Sequence, residues 1–210
     1  MRERMSDTTG IRRQPTQARA RERVERILAA ATALIAETGS DAVKMTEVAE
    51  RAGVPIGSLY QYFPDKAAIL RTLAMRVMER VRDGLRLSLE GVTNAPDAMA
   101  RVDATMVGYY DLFLTEPVTR DIWSGTQSDK VLQELDMDDS RQNARIFFDA
   151  LKHLVPKSGH RRLETASFLL MQLSGAAVRL AIAVDRKEGD KLIGEYRGIM
   201  RRELESLLES

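Results

Sequence analysis

The side chains best suited to chemistry in this sequence lie between Thr46 and Lys66, and the chemistry they suit is recognition rather than bond making. Ile56, Gly57, Ser58, Tyr60, Gln61 and Tyr62 form a set that is uncharged, small or hydrogen-bonding. Ser58 and Gln61 can address base edges, Ile56 can touch a thymine methyl, and the two tyrosine hydroxyls can donate to phosphate. Gly57, with no side chain, admits a close approach of backbone to DNA. Lys66 follows Pro64-Asp65 at the expected start of the next helix, where its ammonium would reinforce an anion site made by backbone N–H groups.

Catalytic groups are scarce by contrast. The 210 residues contain no cysteine and two histidines, His153 and His160, which excludes thiolate nucleophiles, thiolate metal sites, iron–sulfur clusters and three-histidine zinc sites. No H-E-x-x-H pair occurs. Asp136, Asp138 and Asp139 cluster without ligand geometry and read as a solvated helix face, and Ser124-Gly125 lacks the flanks of a nucleophile elbow. We therefore expect no enzymatic activity, no metal and no cofactor.

The elements that must position the recognition residues read as helix throughout, so the expected fold class is all-α. From Gln17 to Thr38 the apolar residues Val24, Ile27, Leu28, Ala31, Leu34 and Ile35 keep helical spacing, with Thr16 available as a cap and Gly39 as the stop. Lys44–Ala52 and Pro55–Phe63 are two short helices around Gly53, and Val48, Ala49, Ala52, Leu59 and Phe63 can pack them together. Pro55 suits a first helical position. Two short helices joined by a tight glycine-containing turn are the ingredients of a helix-turn-helix, whose second helix enters the DNA major groove. A longer helix follows, with Ile69, Leu70, Leu73, Val77, Val81 and Leu85 in register. Gly91 to Pro96 is a linker, and helical patterns continue at roughly 96–115, 118–126, 128–155, 160–184 and 188–209.

Hydrophobic residues make up 44% of the chain and charged ones 30%, which fits a folded chain of one large or two small domains. The net charge of +1 hides an asymmetry. Residues 1–26 hold eight arginines, Arg12 and Arg13 among them, against four carboxylates, for a local balance of +4. An arginine-rich arm ahead of a helix is one way to hold DNA, by displacing counterions or entering the minor groove. The N-terminus lacks the apolar core of a signal peptide, and the apolar stretch from Phe168 to Val184 is interrupted by Gln172 and Arg179. The expectation is a cytoplasmic protein with no membrane segment.

Residues from about Thr16 to Leu73 resemble the DNA-binding domain of the TetR family of bacterial transcriptional repressors. The resemblance rests on Val24-Glu-Arg-Ile-Leu-Ala-Ala-Ala, Val48-Ala-Glu-Arg-Ala-Gly-Val and Gly57-Ser-Leu-Tyr-Gln-Tyr-Phe-Pro-Asp-Lys-Ala-Ala-Ile-Leu, in order and at the right spacing. It implies that Thr46, Gly57, Ser58 and Gln61 contact bases or nearby sugars, and that Tyr60, Tyr62 and Lys66 contact phosphates. Departures are informative: Lys44 and Met45 stand where Thr or Ser usually opens the second helix, so a hydroxyl cap is missing and Lys44 could reach phosphate instead. Pro55 replaces the commoner Ser before the recognition helix. The implied organisation is a basic arm at 1–15, a three-helix DNA-binding domain at 16–64, a connecting helix at 65–90, and a larger helical ligand-binding and dimerisation domain at 91–210.

In that larger domain the resemblance implies a homodimer enclosing a pocket for a small-molecule effector. Pocket candidates are Met106, Tyr109, Tyr110, Phe113, Trp123, Phe147, Met171 and Gln172, the last an amide in an apolar run that needs a partner. Ser174, Gly175, Ala177, Val178 and Ala181 on one helix and Gly194 and Gly198 on the last would allow close approach across the two-fold axis. The expected function is a homodimeric repressor of a palindromic double-stranded DNA operator. An effector would release it by moving the connecting helix, and an activator or an effector-free architectural dimer is the alternative.

Overall fold

The computed structural model of the chain describes residues 14–125 and 129–208. The arm carrying Arg12 and Arg13 lies outside the described residues. Among those described, the helices in order are α1 (Gln14–Thr38), α2 (Met45–Ala52), α3 (Ile56–Tyr62), α4 (Lys66–Leu89), α5 (Ala95–Thr115), α6 (Pro117–Gly125), α7 (Lys130–Leu151), α8 (His160–Ala183) and α9 (Arg186–Leu208). Two 3₁₀ turns, Lys152–Leu154 and Lys157–Gly159, join α7 to α8. The chain forms two compact units that divide within α4, one ending at Ile69 and the other starting at Leu70.

In the first unit α1 buries the stripe Ile27, Leu28, Ala31, Leu34 and Ile35, as its 3.6-residue period requires. It already runs from Gln14, so Thr16 lies inside the helix rather than capping it. Gly39, at φ 81, ends it. The second helix starts one residue later than its sequence pattern suggests, with Lys44 extended at its N-cap and making no side-chain cap bond. Gly53 at φ 64 closes α2 in the left-handed region, its N–H reaching back to Glu50 O while Val54 N–H reaches Ala49 O. Pro55 sits just before the first turn of α3 rather than in it, and its carbonyl accepts from the Ser58 and Leu59 N–H groups.

The second unit is assembled from α5 to α9 with most of α4. Asn94 caps α5 by accepting from the Asp97 N–H at 2.9 Å, and Asp129 caps α7 by accepting from Val131 and Leu132. Phe113, Phe147, Leu151, Leu163, Val178, Leu204 and Leu207 are at most 1% exposed and form the centre. Tyr196 fastens α9 to α8 by donating to Leu170 O at 2.8 Å, beside the Ser174 hydroxyl.

α8 carries apolar residues on two faces. Its inner face holds Leu163, Ala166, Leu170, Ser174, Gly175, Val178 and Ala181, all buried within the chain. The expectation that Ser174, Gly175, Val178 and Ala181 meet a partner is therefore corrected: these residues are buried by packing within the chain itself, and the Ser174 hydroxyl is spent on Leu170 O. The outer face exposes Leu169, Leu173 and Leu180 at 56%, 40% and 53%, with Ala177 half-buried, and α9 adds Ile199 at 48% beside exposed Gly194 and half-buried Gly198. This double apolar character also makes α8 long and apolar enough, by length and composition, to cross a bilayer.

Gly189 marks the tightest approach in this unit. A Cβ there would collide with the Ala181 carbonyl oxygen and lie 2.8 Å from Tyr110 Oη. Gly189→Ala should destabilise the fold by about 1–3 kcal/mol, because a backbone carbonyl cannot rotate away as a flexible side chain can. Gly84→Ala, where a Cβ meets nothing within 4 Å, should be neutral or stabilising by up to about 1 kcal/mol. Urea unfolding of the two variants checks this, and equal midpoints would contradict it.

Candidate nucleic-acid interface and ligand cavity

The short helices α2 and α3 are positioned by burial of Val48 at 0%, Ala49 at 3%, Ala52 at 7%, Leu59 at 0% and Phe63 at 5%. Leu59 faces inward, which turns its neighbours outward: Ile56 is 40% exposed, Tyr60 is 50% exposed, and Gly57 and Gln61 are exposed with them. Ser58 and Tyr62 lie half-buried at the edges of this face. Thr46 and Lys44 are exposed at the start of α2, Lys44 lying 3.6 Å from Glu47. A Cβ built on Gly57 meets nothing within 4 Å, so the space in front of this turn of helix is open.

Two polar ties hold the arrangement. Arg51 Nη1 donates to Glu37 Oε1 at 2.6 Å, linking α2 to α1, and this bond holds the Glu37 carboxyl below its usual range. Lys66 Nζ donates to Ser40 O at 3.0 Å and Asp41 O at 2.7 Å. The expected anion site at the start of α4 is corrected accordingly. Asp65 Oδ1 accepts the Ala68 N–H at 2.7 Å, so a carboxylate already caps that helix, and the Lys66 ammonium serves the loop between α1 and α2.

The second unit holds a partly open cavity of about 400 Å³. Of the expected lining residues, Met106, Tyr109, Phe113, Trp123, Phe147 and Met171 are there. Tyr109 packs edge-on against Phe113 at 5.2 Å, and Phe113 lies 5.6 Å from the Trp123 ring. Burial pushes the Tyr109 phenol far up. Tyr110 and Gln172 are corrected. Tyr110 is buried against the start of α9, with the Arg186 guanidinium 5.8 Å from its ring, and Gln172 Nε2 points to Met137 Sδ at 3.5 Å. One residue separates the right positions from the wrong ones, because neighbours on a helix face directions about 100° apart.

Two groups of lining residues went unforeseen. One is Val77, Met78, Val81, Leu85 and Ser88 of α4. Its spacing was visible, but nothing local says that a connecting helix walls a cavity. The other is Asp136, Asp139, Ser140 and Asn143 of α7. Asp138 is indeed solvated, yet Asp139 and Asn143 are each 8% exposed, which overturns the solvated-face reading for Asp136 and Asp139. The missed signal is that Leu132, Asp136, Asp139, Asn143, Phe147 and Leu151 share one helical stripe, apolar at both ends and polar in the middle.

The polar strip is partly compensated from outside the cavity. Arg82 Nη1 lies 3.0 Å from Asp139 Oδ1, Asn143 Nδ2 donates to Asp139 Oδ2 at 2.8 Å, and Arg179 Nη1 lies 3.5 Å from Asp136 Oδ2. Asp139 Oδ1 and Asn143 Oδ1 are buried and receive no hydrogen bond. Desolvation raises the Asp136 carboxyl, and it pushes Asp139 up from 3.8 to about 6 against the pull of Arg82 and Asn143, with Asp136 adding to the rise. His160 is placed structurally, its Nε2 within 3.0 Å of Lys152 O and 3.1 Å of Val155 O. Among the described residues no group of three His, Asp or Glu side chains could hold a metal ion.

Residues 96–208 match the family model described as tetracyclin repressor-like, C-terminal domain, and residues 27–73 match that of bacterial regulatory proteins, tetR family. A 61-residue segment is 48% identical to the HTH-type transcriptional repressor KstR of Rhodococcus jostii, covering 29% of this chain and 29% of that protein. A 90-residue match at 31% identity links it to the transcriptional activator FasR of Mycolicibacterium smegmatis, over 43% of this chain and 40% of that one. The chain thus spans less than half the length of these curated relatives. Its fold is similar to the crystal structure of a TetR-family transcriptional regulator from Streptomyces coelicolor, with a TM-score of 0.66 and 26% identity over 89% of this chain and 99% of the other.

The raised Asp139 carboxyl has a stability consequence with a definite sign. Between pH 4 and 6 the unfolded chain ionises this group while the folded chain resists, so its contribution to stability falls as pH rises through that window and stays low above it. Asp139→Asn removes the group, and its stability relative to the parent should improve by roughly 1–3 kcal/mol between pH 4 and 7. Urea midpoints of both proteins across that range test it; a flat or inverted difference would contradict the assignment.

Proposed function

The chain belongs to the TetR family of bacterial regulatory proteins, and on that premise we propose that it is a homodimeric transcriptional repressor released from a palindromic operator by a small molecule. The observation that carries the reading is the outward face of α3: an open space before Gly57, flanked by exposed Ile56, Tyr60 and Gln61, over a helix pair packed by Val48, Leu59 and Phe63. A surface of this kind can press its backbone against a groove while the amide and hydroxyls address base edges and phosphates. Arg12, Arg13, Lys44, Thr46, Ser58 and Tyr62 are assigned supporting contacts, whereas Lys66 acts by fixing the loop at Ser40 and Asp41.

Dimerisation is assigned to the outer faces of α8 and α9. Leu169, Leu173, Ala177 and Leu180 with Gly194, Gly198 and Ile199 make an apolar surface that a monomer would leave in water. An isologous contact supplies the two-fold symmetry that a palindrome needs, with recognition helices about 34 Å apart. The effector site is assigned to the cavity. The fourth helix starts directly after α3 in the chain and contributes Val77 to Ser88 to the cavity wall, so a ligand that shifts α4 changes the DNA-competent population. Effector and operator then disfavour each other reciprocally.

Operator affinity measured against salt should fall with a log–log slope of about −4 to −6, from three cations per protomer. Gly57→Ala should keep or raise thermal stability, by up to about 1 kcal/mol, while weakening operator binding roughly tenfold or more. Loss of stability together with unchanged binding would remove α3 from the interface. Transcription in vitro from an operator-bearing promoter should fall on adding the protein, and a rise would mark an activator of the FasR kind. For the dimer, Leu173→Glu combined with Leu180→Glu should sediment as a monomer with unchanged helicity; a persistent dimer would move the interface elsewhere.

A further inference from the structure

The cavity wall contributed by α7 is chemically one-sided. Asp136, Asp139 and Asn143 face the cavity, while the guanidiniums of Arg82 and Arg179 that compensate the two carboxylates are not among its lining groups. Arg80 does reach the lining, but its guanidinium is held by Glu116 at 2.6 Å and is half exposed. A molecule inside therefore meets the acceptor oxygens of α7 beside neutral hydroxyls such as those of Tyr109 and Ser140, and no uncompensated cation. Asn143 Oδ1, on a residue 8% exposed, receives no hydrogen bond, and Asp139 Oδ1, on an equally buried residue, meets only the Arg82 ion pair at 3.0 Å. Buried acceptors without donors destabilise the protein unless something supplies the donor. Most of the remaining lining is apolar or aromatic, with Val77, Val81, Leu112, Phe113, Trp123 and Met171 on it, and the hydroxyls of Ser88, Thr105, Ser140 and Ser174 are interspersed.

We propose that the cavity selects a largely apolar molecule that presents a hydrogen-bond donor, a hydroxyl or an ammonium, to Asn143 Oδ1 and Asp139 Oδ1, and that it rejects carboxylates and other anions. The inference rests on the reading of this cavity as the effector site, and it adds the chemical class of the effector. Donor and apolar body act together: the aromatic and aliphatic wall supplies affinity by burial, and the acceptor pair supplies orientation. Rejection of anions follows from the carboxylates, since a negative group would enter a space beside Asp136 and Asp139, whose ion-paired guanidiniums, Arg179 and Arg82, do not line the cavity. A donor that reaches Asp139 Oδ1 also competes with Arg82, which belongs to α4. Ligand chemistry is thereby linked to the helix that continues from the recognition helix.

A matched series separates these features: 4-cyclohexylbutan-1-ol, 4-cyclohexylbutylamine, 4-cyclohexylbutanoate and butylcyclohexane. Trp123 is the single tryptophan of the chain and lines the cavity, so its fluorescence reports occupancy, with calorimetric titration beside it. The full-length protein should bind the alcohol and the amine at least roughly tenfold more tightly than the carboxylate. Asn143→Leu should weaken alcohol binding by a similar factor while leaving butylcyclohexane unchanged, and Asp139→Asn should abolish the amine's advantage over the carboxylate. A carboxylate that binds as well as the alcohol, an Asn143→Leu protein with unaltered alcohol affinity, or no binding by any probe would overturn the proposal. Circular dichroism of both variants identifies a failure to fold, in which case the probe ranking with the unsubstituted protein decides. Operator binding is measured separately: an alcohol that occupies the cavity without weakening DNA binding would sink the effector reading and leave the ligand class standing.

Discussion

The ion pair between Arg82 of α4 and Asp139 of α7, 3.0 Å apart and largely withdrawn from water, is the interaction on which the second unit's working parts converge. Such a pair contributes little net stability, since desolvation of both charges offsets their attraction, and the upward shift of Asp139 says that desolvation wins here. A core built for stability alone would place leucines at positions 136, 139 and 143, as α7 does at 132 and 151 on the same stripe. Retaining polar groups there leaves a cavity with a chemical direction: acceptors on one wall, aromatic rings on the other. It also ties that direction to α4, the element that begins immediately after α3.

The hydrophobic effect organises the rest around this polar strip. The eighth helix has more apolar surface than its own chain can cover, and its two faces divide the work. Leu163, Leu170 and Val178 close the protomer's core, and Leu169, Leu173 and Leu180 are left outside. Small residues sit on the inner face because α9 and the cavity crowd it, with Tyr196 hydrogen-bonded to Leu170 O. A partner's matching surface would convert the outer leucines from a solubility liability into an interface.

The first unit is stabilised in a different way. Its helices α2 and α3 are eight and seven residues long and neither has a side-chain N-cap, so propensity and capping alone would not hold them. Burial of Val48, Ala49, Leu59 and Phe63 does, helped by the left-handed Gly53 and by Lys66 bound to two carbonyls of the preceding loop. Because the packing residues occupy one face so completely, the small and polar residues of α3 are forced outward.

That unit was legible in the sequence because its determinants are local. The spacing of Val48, Leu59 and Phe63, the glycine after α2 and the proline after Phe63 all act within a few turns of chain, so periodicity alone assigns the exposed set of α3. The helix order of the second unit followed for the same reason, from its helical spacing and the linker at Gly91 to Pro96. Periodicity states which residues share a face but not what that face meets, and there only the tertiary structure decided. It placed the small residues of α8 inside the protomer and the leucines outside, turned Asp136 and Asp139 toward a cavity while leaving Asp138 in water, and moved Tyr110 and Gln172 off the wall that Tyr109 and Met171 line. Each of these outcomes depends on which distant helix packs against the stripe, and that is set by burial summed over the whole unit rather than by any residue's neighbours in the chain.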